Sequence, residues 1–190
     1  MAGNHYDFLT RWRVAGTCEE VYEVLGDGEG LVRWWPSVYL AVETLEPGDQ
    51  AGRGKIMSVL TKGWLPYTLR WRFEIVEVRP PQGFTLKAHG DFEGTGIWSF
   101  EQEGDSVVAT YDWRIDAEKP LLKVLTPILK PIFSANHRWA MAQGEKSLKL
   151  ELARRHARTD AERHAVPPPP GPTFRSARVP QSSRDPIDPP

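Results

Sequence analysis

Two periodicities alternate along the chain. Tyr6, Phe8, Thr10, Trp12 and Val14 alternate with Asp7, Leu9, Arg11 and Arg13, a period of two that predicts a strand with one largely apolar face. The period then lengthens. Val21, Tyr22, Val24 and Leu25 have helical spacing behind Thr17 and Glu20, which form a capping-box signature, so TCEEVYEVLGD predicts a short helix. A second short helical piece, about GEGLVRWW, ends at Pro36, whose ring disfavours helical geometry in the residue before it.

From Ser37 to Ala117 the period returns to two. The segments SVYLAVETLEPGD, GKIMSVLTKGWLP, YTLRWRFEIVEVRPP, GFTLKAHGDFEG, TGIWSFEQEGD and SVVATYDWRIDA predict six consecutive strands. The clearest alternation sets Leu69, Trp71, Phe73 and Ile75 against Arg70, Arg72 and Glu74. In the last strand Val107, Ala109, Tyr111, Trp113 and Ile115 oppose Val108, Thr110, Asp112 and Arg114. Short turns between consecutive strands imply antiparallel pairing. Asp112 and Arg114 are expected to face solvent in a cross-strand ladder with Arg70 and Arg72.

The stretch from Lys119 to about Ala157 is helical in spacing, with Leu122, Leu125, Leu129, Phe133, Ala140, Leu148 and Leu152 three to four residues apart or at multiples of it. Pro127 and Pro131 each remove a backbone donor, so a short lead-in followed by an unbroken helix from about Ile132 is expected. Some 25 helical residues span roughly 37 Å, the length of an 11-residue strand. Such a helix can lie across a curved sheet. It cannot touch every strand, so a cavity between helix and sheet is the expected by-product.

The pattern stops near residue 158. VPPPPGPTFRSARVPQSSRDPIDPP holds nine of the chain's 17 prolines and almost no large apolar residue. Such a segment cannot bury enough surface to offset its ordering entropy. Residues 158–190 are therefore expected to be a disordered proline-rich tail behind one domain over 1–157. PPPPGP has the composition of a docking peptide, but a solvated tail is the plainer reading.

A length of 190 residues fits one domain, and 40% hydrophobic with 26% charged residues is ordinary for a globular one. A net charge of -1 gives no electrostatic reason to expect nucleic acid. Eight tryptophans change the picture more, because so many large aromatics need a thick core or a lined pocket. Cys18 is the single cysteine, which excludes an internal disulfide and fits a cytoplasmic setting. The N-terminal stretch lacks a signal-peptide pattern, and no apolar run is long enough to cross a bilayer.

The order strand, two short helices, six strands and one long helix resembles the START-like, or Bet v 1-like helix-grip, superfamily and its polyketide cyclase/dehydrase and lipid transport group. The resemblance covers residues 4–156. It rests on TCEEVYEVLGDGEGLVRWWPSV, PYTLRWRFEIVEVRPP, GDFEGTGIWSF and NHRWAMAQGEKSL, with Val21, Leu25, Trp35 and Pro36 at the positions where the family carries Val, Leu, Trp and Pro. It implies an α+β helix-grip fold: a curved seven-stranded antiparallel sheet, two short helices and a long C-terminal helix enclosing a hydrophobic cavity. The motifs specify how the small helices plug the sheet and carry no chemistry themselves. On this pattern Trp35 packs inward beneath the small helices and Trp34 borders the cavity entrance.

In that fold the cavity would be lined by Trp71, Phe73, Leu86, Ala88, Trp98, Phe100, Tyr111 and Trp113, with Trp35, Asn136 and Ala140, a surface suited to a small hydrophobic ligand. Any one of these residues could equally be core. Gly144 continues the row of Asn136 and Ala140, either as a gap over the cavity or as a close packing contact. Binding of a polyketide-like aromatic, quinone or lipid is the leading expectation. The alternative is a cyclase or dehydratase that folds a reactive substrate in the same space, with Tyr111, Asn136 and His137 as its polar groups. His137, without a carboxylate or nucleophile beside it, reads first as structural. His5, His89, His156 and His164 are scattered, so no metal is expected, and no cofactor motif is present. KPLLKVLTPILKPIF, with Lys119, Lys123 and Lys130, could rest transiently on a membrane but reads first as packing beside the cavity mouth. A monomer or homodimer is expected.

Overall fold

A computed structural model of the protein describes residues 5–117 and 120–173. The chain runs β1 (His5–Ala15), α1 (Cys18–Gly26), α2 (Leu31–Trp34), β2 (Tyr39–Glu46), β3 (Ile56–Lys62), β4 (Thr68–Arg79), β5 (Gly83–Gly90), β6 (Phe92–Glu103), β7 (Ser106–Ala117), α3 (Pro120–His156) and α4 (Asp160–Ala165). The strands form one seven-stranded sheet in the order β1-β7-β6-β5-β4-β3-β2, and every neighbouring pair is antiparallel. The sheet and the helices that close on it are the helix-grip architecture expected from the sequence.

The start of α1 follows from local chemistry. Thr17 and Glu20 close the capping box, the hydroxyl accepting from the Glu20 N–H while the Glu20 carboxylate accepts from the Thr17 N–H. The face carrying Cys18, Val21, Val24 and Leu25 is buried. Helix α2 is a single turn ahead of Pro36, and Trp34 at its end and Trp35 just after it are both interior.

Helix α3 departs from expectation. It runs as one helix of 37 residues through Pro127 and Pro131. Pro120 stands at its first position, where a missing N–H costs nothing. The two inner prolines each forfeit a hydrogen bond, but the helix propagates from both sides and is held to the sheet by tertiary contacts, which override local propensity. His137 stacks on Phe8 with centroids 4.0 Å apart, and the Arg13 N–H donates to Glu145 Oε1 at 3.4 Å. The helix thus lies along β1.

Two further expectations are corrected. The strand order places β5 and β6 between β4 and β7, so Asp112 and Arg114 cannot pair with Arg70 and Arg72. Arg114 instead binds Asp112 on its own strand at 2.5 Å. The segment expected to be disordered from residue 158 begins with α4, capped by Thr159 and Glu162 in the same box that starts α1. A local cap and a guanidinium of Arg154 donating to the Pro167 carbonyl oppose the ordering entropy there. Residues 174–190 lie outside the described residues.

The main core sits at the end of the sheet where the small helices pack. Trp12, Val14, Val21, Val24, Trp34, Val107, Leu148 and Leu152 are fully buried there, drawn from β1, β7, α1, α2 and α3. On the β3 and β4 side the space under α3 is not filled.

Candidate ligand-binding cavity

The unfilled space is a cavity of about 500 Å³ between the concave face of the sheet and α1, α2 and α3. That lies within the range of small-molecule sites, roughly 300–1,000 Å³. Period-two alternation builds its walls. Leu69, Trp71, Phe73 and Ile75 face it from β4, Met57 and Thr61 from β3, and Tyr111, Trp113 and Ile115 from β7. Trp35 and Tyr39 close it from the α2 side, and Asn136, His137, Ala140 and Met141 from α3.

Small residues at the centre of the sheet let its rings meet. Trp71 and Trp113 have centroids 5.8 Å apart although two strands separate theirs. The register places Ala88, Gly94 and Gly96 on those intervening strands. A Cβ on Gly96 would stand 2.5 Å from Tyr111 Oη and 2.8 Å from Trp113 Cε3, so the glycine is what lets these rings approach the sheet so closely. Tyr111 stacks on Trp98 at 4.4 Å and on Trp113 at 5.5 Å, near parallel to both. The result is a continuous aromatic floor.

Polar groups on this wall are few, and several are engaged. Asn136 Oδ1 accepts the Leu65 N–H at 3.2 Å, which ties α3 to the β3–β4 loop. Thr61 Oγ accepts from Trp71 Nε1 at 3.0 Å and so orients the indole. Burial raises the phenol of Tyr111 well above its usual range, with nearby Tyr39 adding to the effect, and burial also raises Tyr39. The Tyr67 phenol is pushed up to about 12, chiefly by burial and then by Tyr6. All three are neutral hydroxyls at ordinary pH. Burial, followed by the charge of Arg138, pushes His137 down to about 4. The imidazole is therefore neutral, and its buried Nε2 has no hydrogen-bond partner among the described residues.

Of the residues singled out in the sequence, Trp35, Trp71, Phe73, Leu86, Trp98, Tyr111, Trp113, Asn136, His137 and Ala140 border this one cavity. Ala88 does not. It faces inward but is wholly covered, because its methyl group is shorter than the rings around it. Phe100 packs instead against Tyr22, Phe84 and Trp98. Gly144 is a packing contact, since a Cβ there would stand 2.4 Å from the Trp35 ring. Trp34 does not border the entrance; it has no exposed surface and lies 5.4 Å from the Trp35 ring, centroid to centroid. The side chains of Lys119 and Lys123 lie outside the described residues, while Lys130 donates to the His5 carbonyl and Phe133 borders the cavity.

Sequence reasoning missed Tyr39, Met57, Thr61 and Tyr22. Met57, Val59 and Thr61 alternate through IMSVLTK, so two of these were available to a period-two reading. Tyr39 was not, because the first residues of β2 have no alternating burial. Among the described residues no group of three potential metal ligands comes together, and no helix is long and apolar enough to cross a membrane.

The aromatase/cyclase Zhui from Streptomyces sp. R1128 superimposes with a TM-score of 0.65 at 17% identity, covering 81% of this chain and 97% of that one. A protein from Thermus thermophilus gives 0.62 at 17% identity, with 75% and 97% covered. A norcoclaurine synthase from Thalictrum gives 0.54 at 16% identity, with 80% and 98% covered. At these identities the likeness is one of fold. Among curated proteins none matches the chain. A family model described as polyketide cyclase / dehydrase and lipid transport matches residues 9–151, and the chain, with its helix-grip sheet and its aromatic cavity, belongs to that family.

Proposed function

We propose that the protein binds a small hydrophobic molecule with aromatic character in the cavity between sheet and α3. The observation that carries this reading is the cavity itself: about 500 Å³ walled largely by tryptophan, tyrosine and aliphatic side chains, with the neutral phenols of Tyr39 and Tyr111 beside Asn136, His137 and the buried Lys62 among its polar groups. Flat rings suit the near-parallel Trp98, Tyr111 and Trp113 stack. Neutral phenols suit a carbonyl or hydroxyl oxygen on the ligand. Polyketide-like aromatics, quinones and ring-bearing lipids combine these features.

A second reading, a cyclase or dehydratase, is favoured by His137. Its neutral imidazole borders the same cavity as Tyr111 and Asn136, and its buried Nε2, without a partner among the described residues, can hydrogen-bond a substrate and so orient it. One experiment separates the two. The protein is incubated with 1-naphthol and with a linear polyketide mimic, binding is followed by quenching of tryptophan fluorescence, and the small molecule is then recovered. Saturable quenching with unchanged ligand is the outcome expected for a carrier. Conversion of the mimic, lost in His137→Phe, would move the assignment to the enzyme. Absence of saturable quenching by either compound would overturn the binding reading.

A further inference from the structure

The cavity does not end at the aromatic floor. Along β4 every inward residue from Leu69 to Trp71, Phe73, Ile75 and then Val78 borders it, a run of roughly 30 Å at strand rise. About 500 Å³ drawn out along that run makes the space long relative to its width. The shape is a passage.

Its two halves differ in chemistry. Beyond Met57 the lining changes from stacked indoles to Tyr22, Leu25, Ile75, Val78 and Phe84. The boundary is tight: Gly28, at the α1–α2 corner, is buried against Met57, and a Cβ there would stand 2.2 Å from the sulfur. Met57 is itself wholly buried and borders the cavity. An unbranched thioether is the side chain best able to shift as something slides past.

The outer half reaches solvent. Glu23, Gly26, Asp27 and Ala51 are the only exposed residues among the described ones that border the cavity, and all four lie at the small-helix end. Lys55 joins them from the β2–β3 loop. The charges on this rim are mixed, and Glu23 is already paired with Arg155 at 3.2 Å, so the rim selects no particular ionic headgroup.

Building on the ligand-binding reading above, we propose that the passage is a second, aliphatic subsite with its own opening between the α1–α2 corner and the β2–β3 loop. The ligand is then an amphiphile of defined form: a planar aromatic head on the inner floor and an unbranched alkyl tail lying past Met57 toward Ala51.

The test uses the full chain and a series of 4-alkylphenols from methyl to nonyl, with affinity read from tryptophan quenching. Each added methylene that enters the outer half raises affinity roughly threefold to fourfold, the value of one buried methylene, until the tail reaches the rim and the gain stops. Ala51→Trp, which places an indole at the exposed rim, lowers the nonyl-to-methyl affinity ratio at least tenfold. A flat series in which the methyl compound still binds overturns the aliphatic subsite and leaves the aromatic site standing. A ratio unchanged in Ala51→Trp overturns the opening at this end. A series in which no member binds overturns both readings.

Discussion

Gly144 and His137 lie two turns apart on α3, and their neighbours give them opposite roles. Gly144 has no side chain because the Trp35 ring occupies its place, so the residue contributes to how closely α3 approaches α2. His137 faces the cavity, stacked on Phe8, with its Nε2 buried away from water. Its titration gives a prediction. Between about pH 4, where the native imidazole protonates, and its ordinary value near 6.5, the unfolded chain holds a proton that the native state does not. Stability is therefore lost as pH falls through that window, by up to about 3 kcal/mol if the whole difference is expressed. Urea denaturation from pH 7 to pH 4 is expected to show this loss in the wild type, and His137→Phe, which keeps a ring on Phe8, is expected to remove most of it. Equal slopes in the two proteins would show that other groups carry the acid sensitivity. The sequence places His137 on the last helix beside the cavity. It does not reveal the depressed titration, which arises from burial against β1 and from Arg138, and burial of one side chain is a property of the assembled fold.

Between elements, one carboxylate organises the end of the molecule where the small helices pack. Glu151 on α3 is buried, yet it binds Arg33 of α2 at 2.7 Å and has Arg155 at 3.5 Å and Arg154 at 3.7 Å. Arg155 also reaches Glu23, and His156 binds Glu20 at 2.7 Å, so α1, α2 and the end of α3 share one ionic network. The costs of its removal are asymmetric. The arginines retain access to water, whereas the carboxylate does not. Arg33→Met leaves Glu151 buried with only its longer contacts and is expected to destabilise by on the order of 1–3 kcal/mol. Glu151→Met is expected to cost less, and in the double variant the Arg33 penalty should vanish. A double-mutant cycle by urea denaturation measures this, and additive effects would show that the pair is not coupled. Local signals make some of these elements legible and hide others. The capping box at Thr17 is plain in the sequence, while the same box at Thr159 is masked because it stands at the edge of a proline-rich segment whose composition argues against structure. Pro131 argues for a break in α3 because local propensity is all that a sequence window contains; packing along β1 decides otherwise.

At the scale of the molecule, seven alternating segments and two short helices are enough to predict the sheet, its antiparallel pairing and a cavity under α3. Alternation states which residues share a face, so Trp71, Phe73, Tyr111 and Trp113 can be placed on the concave side before any coordinates. It does not state strand order, and the expected ladder between Arg114 and Arg70 fails on that point alone. Nor does it show that rings can reach over small residues, which is why Ala88 reads as lining and the outer half of the cavity stays hidden. The same whole-molecule view bears on where the functional unit ends. Among the described residues none beyond Met141 borders the cavity, α4 buries no side chain, and the proline segment is tied to α3 by the hydrogen bond from Arg154 to the Pro167 carbonyl. Ending the chain at Arg158 should therefore cost no more than about 1.5 kcal/mol, the value of one such hydrogen bond, and should leave affinity for 1-naphthol unchanged. Thermal denaturation and fluorescence titration of the shortened protein measure both. Aggregation, or a loss of affinity with the fold intact, would mean that residues after Arg158 complete the binding domain, and the domain boundary proposed near residue 157 would have to move toward the C-terminus.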